Sequence, residues 1–103
     1  MADVEQLQAI EQNLQNLRSQ RQQVQMQLME TDSALEELDK SGKAYRIVGG
    51  IMVAVDKDSL RAELEKKKEL LQVRSKTIEK QEGLLKERGK SLQAEFLKGM
   101  KKE

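Results

Sequence analysis

The sequence predicts a mainly α fold: a long antiparallel two-helix coiled coil joined by a β-hairpin that assembles into an oligomeric β-barrel platform. Three observations carry this. Leu7, Leu14, Leu28 and Leu35 keep a seven-residue spacing, with Arg21 at the irregular step, and Leu64, Leu71, Ile78, Leu85 and Leu92 keep it downstream. Such a repeat marks a helix packed along another helix. The numbers of facing positions (Leu35 with Leu64, Leu28 with Leu71, Leu14 with Leu85, Leu7 with Leu92) each total 99, so both repeats share a centre between Gly49 and Gly50. Around those glycines lie two short runs rich in β-branched residues.

Composition agrees with this. Of 103 residues, 36% are charged and 2% aromatic, with no Pro. Aromatic side chains supply much of the buried area of small domains, so a globular core is disfavoured. The absence of Pro, with an abundance of Glu, Lys, Gln and Leu, suits long helices. Low hydropathy alone would also fit disorder, but the regular leucine spacing argues against it. Residues 1–103 read as one domain, with a first helix over about 3–41, a hairpin over 44–55 and a second helix over about 58–100.

In the first helix a second apolar series, Ile10, Leu17, Val24, Thr31 and Leu38, interleaves with the first to give a three-and-four seam. Arg21 and Thr31 are polar exceptions that serve register, the stem of Arg21 lying along Ile78 with its charge in water. Ser41-Gly42 closes the helix, with Gly42 expected as a left-handed cap. Tyr45-Arg46-Ile47-Val48 and Ile51-Met52-Val53-Ala54-Val55 then flank Gly49-Gly50, the signature of a tight hairpin whose turn needs positive φ. A two-residue loop sets Val48 against Ile51 and Arg46 against Val53 on one face, and Ile47 against Met52 and Tyr45 against Ala54 on the other. Both faces are largely apolar. An isolated strand pair is marginal in water, so Tyr45, Ile47, Val48, Gly49, Gly50, Ile51, Met52, Val53 and Val55 are the candidate oligomerisation residues.

Asp56 or Asp58, assisted by Ser59, can cap the second helix. Its main seam is apolar, but the companion positions are polar: Lys67 or Lys68, Arg74 or Ser75, Gln81 or Glu82, Arg88 or Gly89. Gly83 and Gly89 each weaken the helix by about 1 kcal/mol relative to Ala, so the half away from the hairpin is expected to be looser. Phe96, Leu97 and Met100 form an apolar group at the far end, with Val4, Leu7 and Ile10 expected nearby. A forty-residue helix extends about 60 Å, so the expected molecule is an arm with an assembling base and an apolar tip. Leu14, Leu17, Val24, Leu28, Leu35, Leu38, Leu64, Leu71, Ile78 and Leu85 belong to the seam alone.

Nothing in the sequence points to catalysis. There is no His and no Cys, so no metal site, disulfide or nucleophile–base pair is expected. Gly49-Gly50 joins two strands rather than a strand and a helix, which disfavours a phosphate-binding loop. Carboxylates are spread along solvated helix faces. The chain is read as a non-enzyme without cofactors. With 19 basic and 18 acidic residues mixed along both halves, nucleic-acid binding is disfavoured. No apolar run approaches a membrane span and no signal peptide is evident, so a cytoplasmic protein is expected.

The stretch Ala44-Tyr45-Arg46-Ile47-Val48-Gly49-Gly50-Ile51-Met52-Val53 resembles the hairpin signature of prefoldin β-type subunits. Ala34-Leu35-Glu36-Glu37-Leu38, Leu64-Glu65-Lys66-Lys67-Lys68-Glu69 and Ile78-Glu79-Lys80-Gln81-Glu82 agree with it, as does the glutamine-rich opening of the first helix. The single hairpin and total length look like the archaeal β type. The resemblance implies an ATP-independent chaperone. It also implies partners: two α-type and four β-type subunits in a hexamer, unfolded clients held at the coiled-coil tips, and a group II chaperonin that receives them. Val4, Leu7, Ile10, Leu92, Phe96, Leu97 and Met100 are the candidate client-binding residues, although Leu7, Ile10 and Leu92 better suit closure of the coiled coil. A filament subunit or tether without client binding, or an adaptor for one defined partner, would have a similar pattern.

Overall fold

A computed structural model describes residues 2–101, and side chains over residues 4–99. Helix α1 spans Ala2–Lys40, strands β1 and β2 span Ala44–Val48 and Ile51–Val55, and helix α2 spans Lys57–Lys101. The strands pair antiparallel with Val48 opposite Ile51, Ile47 opposite Met52, Arg46 opposite Val53 and Tyr45 opposite Ala54. This is the register that the two-glycine loop dictates. Gly49 and Gly50 hold φ of 56° and 79°, where a Cβ would be strained, so the turn requires glycine.

The two helix ends next to the hairpin are capped by side chains. Asp56 caps α2: its Oδ2 accepts from the Ser59 amide at 3.1 Å and from the Ser59 hydroxyl at 2.8 Å. The end of α1 differs from expectation. Only Gly49 and Gly50 adopt positive φ among the described residues, so Gly42 is not a left-handed cap. The Ser41 hydroxyl instead donates to the Lys43 carbonyl at 2.6 Å, and the Lys57 ammonium donates to the Ser41 carbonyl at 2.7 Å. A cation at the last carbonyls of a helix offsets their partial negative charge, which removes the need for a left-handed residue.

The chain forms two compact units, to both of which each helix contributes. The hairpin unit comprises residues 24–74, and the terminal unit comprises the residues before Val24 with those after Arg74. In the hairpin unit Asp32 pairs with Lys68 at 2.7 Å and Asp39 pairs with Arg61. As the α1 number rises the α2 number falls, so the helices run antiparallel. Leu38, Thr31 and Val24 of α1 and Leu71 of α2 are buried there. Thr31 spends its hydroxyl on the Gln27 carbonyl of its own helix at 2.7 Å, which satisfies a buried polar group without a partner across the seam.

In the terminal unit Ile10, Leu17 and Ile78 are buried, and a Cβ built on Gly89 would lie 3.7 Å from Ile10 Cγ2. The same unit buries Glu82, 3% exposed. Glu82 Oε2 accepts from Arg21 Nη1 at 2.9 Å, while Oε1 is buried with no hydrogen-bond partner. Arg21 therefore answers a buried carboxylate rather than simply reaching water. A buried ion pair contributes little net stability, whereas removing one partner strands a charge. With Arg21 about one-third exposed, Arg21→Ala is expected to cost about 2 kcal/mol, less than for a wholly buried pair. Joint replacement of Arg21 and Glu82 by Leu should raise the melting temperature. Thermal unfolding followed by circular dichroism at fixed protein concentration checks both, and a destabilised double variant would contradict the assignment.

Candidate functional site

The hairpin shows an unusual surface. Ile47 is 72% exposed, and Tyr45, Val48, Ile51, Met52 and Val53 are all exposed. Its two faces are not equivalent. On the face bearing Arg46, Ala44 is buried and Val55 half-buried, and the Arg46 guanidinium is paired with Glu63 of α2. The Tyr45, Ile47, Met52 and Ala54 face is exposed throughout. The strands form a two-stranded sheet, so each has an outer edge of backbone donors and acceptors facing away from the ladder. Apolar faces and open edges on the same ten residues make this a surface suited to receiving further strands.

The predicted client residues divide. In the terminal unit Leu7 and Leu92 are half-buried and Ile10 is buried. Val4, Phe96 and Leu97 are exposed. Met100 lies outside the residues whose side chains are described.

Seam positions are resolved where the sequence left alternatives. Lys68, Ser75, Glu82 and Gly89 turn inward, and Lys67, Arg74, Gln81 and Arg88 are exposed. In the terminal unit this leaves a groove on each side of the seam. One, of about 470 Å³, is lined by Asn13, Asn16, Leu17, Gln20, Gln81, Leu84 and Leu85. The other, of about 500 Å³, includes Leu7, Ile10, Gly89 and Leu85, with Glu11, Arg18, Lys86 and Lys90 along its walls. Sequence reasoning passed over the first groove. The signal available for it was the three-and-four spacing of Asn13, Asn16 and Gln20 directly before seam positions 14, 17 and 21. It also passed over Met26, Met29, Leu70, Val73 and Leu84, all exposed. Among the described residues no group of three or more acidic side chains is placed to hold a metal ion, and no helix is long and apolar enough to cross a membrane.

Comparison with known proteins agrees with this geometry. A family model described as prefoldin subunit matches residues 1–103. The prefoldin subunit beta of Archaeoglobus fulgidus is 43% identical over 88 residues, covering 82% of this chain and 76% of that protein. The prefoldin subunit beta of Pyrobaculum islandicum is 35% identical over 92 residues, covering 86% and 74%. The crystal structure of the prefoldin beta subunit from Thermococcus strain KS-1 superposes with a TM-score of 0.86 at 37% identity, covering 95% of this chain and 89% of that one. Two long helices with a strand pair between them, matched over their whole length, identify the chain as a member of the prefoldin subunit family.

Proposed function

We propose that this chain is the β-type subunit of an ATP-independent chaperone that holds unfolded proteins at the ends of its helices and passes them to a group II chaperonin in the cytoplasm. Residues 1–103 act as one domain, four copies joining two α-type subunits through their hairpins. The chain itself catalyses no reaction and uses no cofactor. A single observation carries the assembly part of this reading: the hairpin exposes apolar side chains on one face completely and on the other in part, beside two unpaired strand edges. Burial of that area together with the edges requires other strands, because a helix could cover a face but could not satisfy an edge.

Client capture is supported by the ends of the helices. Val4, Phe96 and Leu97 are exposed apolar groups close to the two termini. Non-native proteins expose apolar segments, and burying each square ångström contributes about 25 cal/mol. Several weak sites on one platform gain avidity while each releases easily, which suits a carrier that must give up its cargo.

Ile47→Asp with Met52→Asp places two carboxylates on the exposed hairpin face. Light scattering of the purified variant with its companion subunits should show loss of the hexamer, while the helical circular dichroism signal largely survives. A full-size complex would exclude this face from the platform. Replacing Phe96, Leu97 and Met100 together by Ser should leave hexamer mass unchanged and weaken suppression of aggregation for several unrelated unfolded proteins, by about threefold or more in the concentration needed. Undiminished protection would remove these residues from client capture, and absence of protection by the unmodified complex would favour a filament or tether instead.

A further inference from the structure

The neutral groove of the terminal unit has a chemistry that the seam does not need. In coiled coils the positions flanking the seam commonly carry charges, and in the hairpin unit Asp32 and Asp39 beside the seam pair with Lys68 and Arg61. On this side of the terminal unit Asn13, Asn16 and Gln20 stand on α1 and Gln81 on α2, above Leu17 and Leu85. All four carboxamide residues are exposed, as is Leu84 at 61%. No lining residue is ionisable, in a chain that is 36% charged. The groove across the seam in the same unit also has carboxamides, Gln15 and Gln93, but sets the charges of Glu11, Arg18, Lys86 and Lys90 beside them.

We infer that this groove, of about 470 Å³, is a binding site for extended, uncharged segments of non-native polypeptide, held through their backbone by the four carboxamides. The inference rests on the chaperone reading and adds a site along the helices, separate from Phe96 and Leu97. A carboxamide both donates and accepts, whereas a carboxylate only accepts and an ammonium only donates. An extended backbone offers both functions, alternating, so carboxamides at successive turns can answer it whatever its side chains. Leu17, Leu84 and Leu85 give apolar contact for an aliphatic side chain of the bound segment. A neutral wall also avoids stripping water from a charge when an apolar segment enters. The volume lies within the usual range of ligand clefts, about 300–1,000 Å³.

The test uses the assembled complex of the full chain with its companion subunits. A photo-crosslinking side chain replaces Gln20, Lys90 or Phe96 in turn, a chemically unfolded client of known sequence is added, and the joined segments are mapped by mass spectrometry. Position 20 should capture client segments lacking Asp, Glu, Lys and Arg, several-fold more often than position 90. Equal capture at 20 and 90, or capture at 20 of another subunit instead of client, overturns the groove. Capture at 96 alone sinks the groove and keeps the chaperone reading, whereas no capture anywhere sinks both. Independently, Asn16→Asp with Gln20→Glu changes only exposed side chains and should weaken binding of a neutral unfolded peptide about tenfold, as expected for two lost hydrogen bonds. Glu11→Asp with Lys90→Arg, which keeps the charges of the other groove, should leave that affinity unchanged. Unaltered affinity in the first variant, with its helical content intact, overturns the proposal.

Discussion

The unequal seam between the helices governs much of this molecule. Helix α1 offers apolar residues in both of its interleaved series, while α2 offers them in one and fills the other with Arg61, Lys68, Ser75, Glu82 and Gly89. In the hairpin unit the inward cations reach Asp39 and Asp32 at the seam edge, so their stems cover apolar surface while their charges are answered. Each unit keeps a buried polar atom without a hydrogen-bond partner, Arg61 Nε in the hairpin unit and Glu82 Oε1 in the terminal unit. In the terminal unit Glu82 is buried, and a Cβ on Gly89 would make ordinary contact with Ile10. A seam of this kind holds two helices in register without drawing them into a dry core, and grooves remain on both of its sides.

The hairpin answers to a different constraint. Its backbone register is fixed from within by a turn that only glycine suits, and its root is held by the Asp56 cap, the Lys57 contact to Ser41 and the Arg46–Glu63 pair. What remains is apolar and open. In an assembly of hairpins the stability of each chain becomes linked to protomer concentration, so folding and assembly are two aspects of one equilibrium. The two faces are unequal, because Ala44 is buried, Val55 half-buried and Arg46 paired with Glu63 on one of them, while the other is exposed throughout.

A holder of unfolded proteins needs contacts that are weak, adaptable and repeated. Phe96 and Leu97 are exposed near one end of the chain, and the groove beside Leu17 is lined by carboxamides and leucines rather than shaped around one charged group.

Much of this was legible in one dimension. The heptads, their common centre, the hairpin register through Gly49-Gly50 and a cap from Asp56 or Asp58 depend on near neighbours in sequence and on the fixed periods of helix and strand. Gly42 was misread because a left-handed cap is one of several ways to end a helix, and the Lys57 ammonium that takes its place arrives from sixteen residues away. The inward residue of each polar pair was equally beyond reach: Gln81 and Glu82 differ by about 100° around the helix, and no apolar signal separates them. The sequence alone therefore determined two antiparallel helices and the hairpin between them. Tertiary structure alone decided that Glu82 turns inward to Arg21 and that carboxamides line one groove, because those outcomes depend on the rotation of one helix against the other.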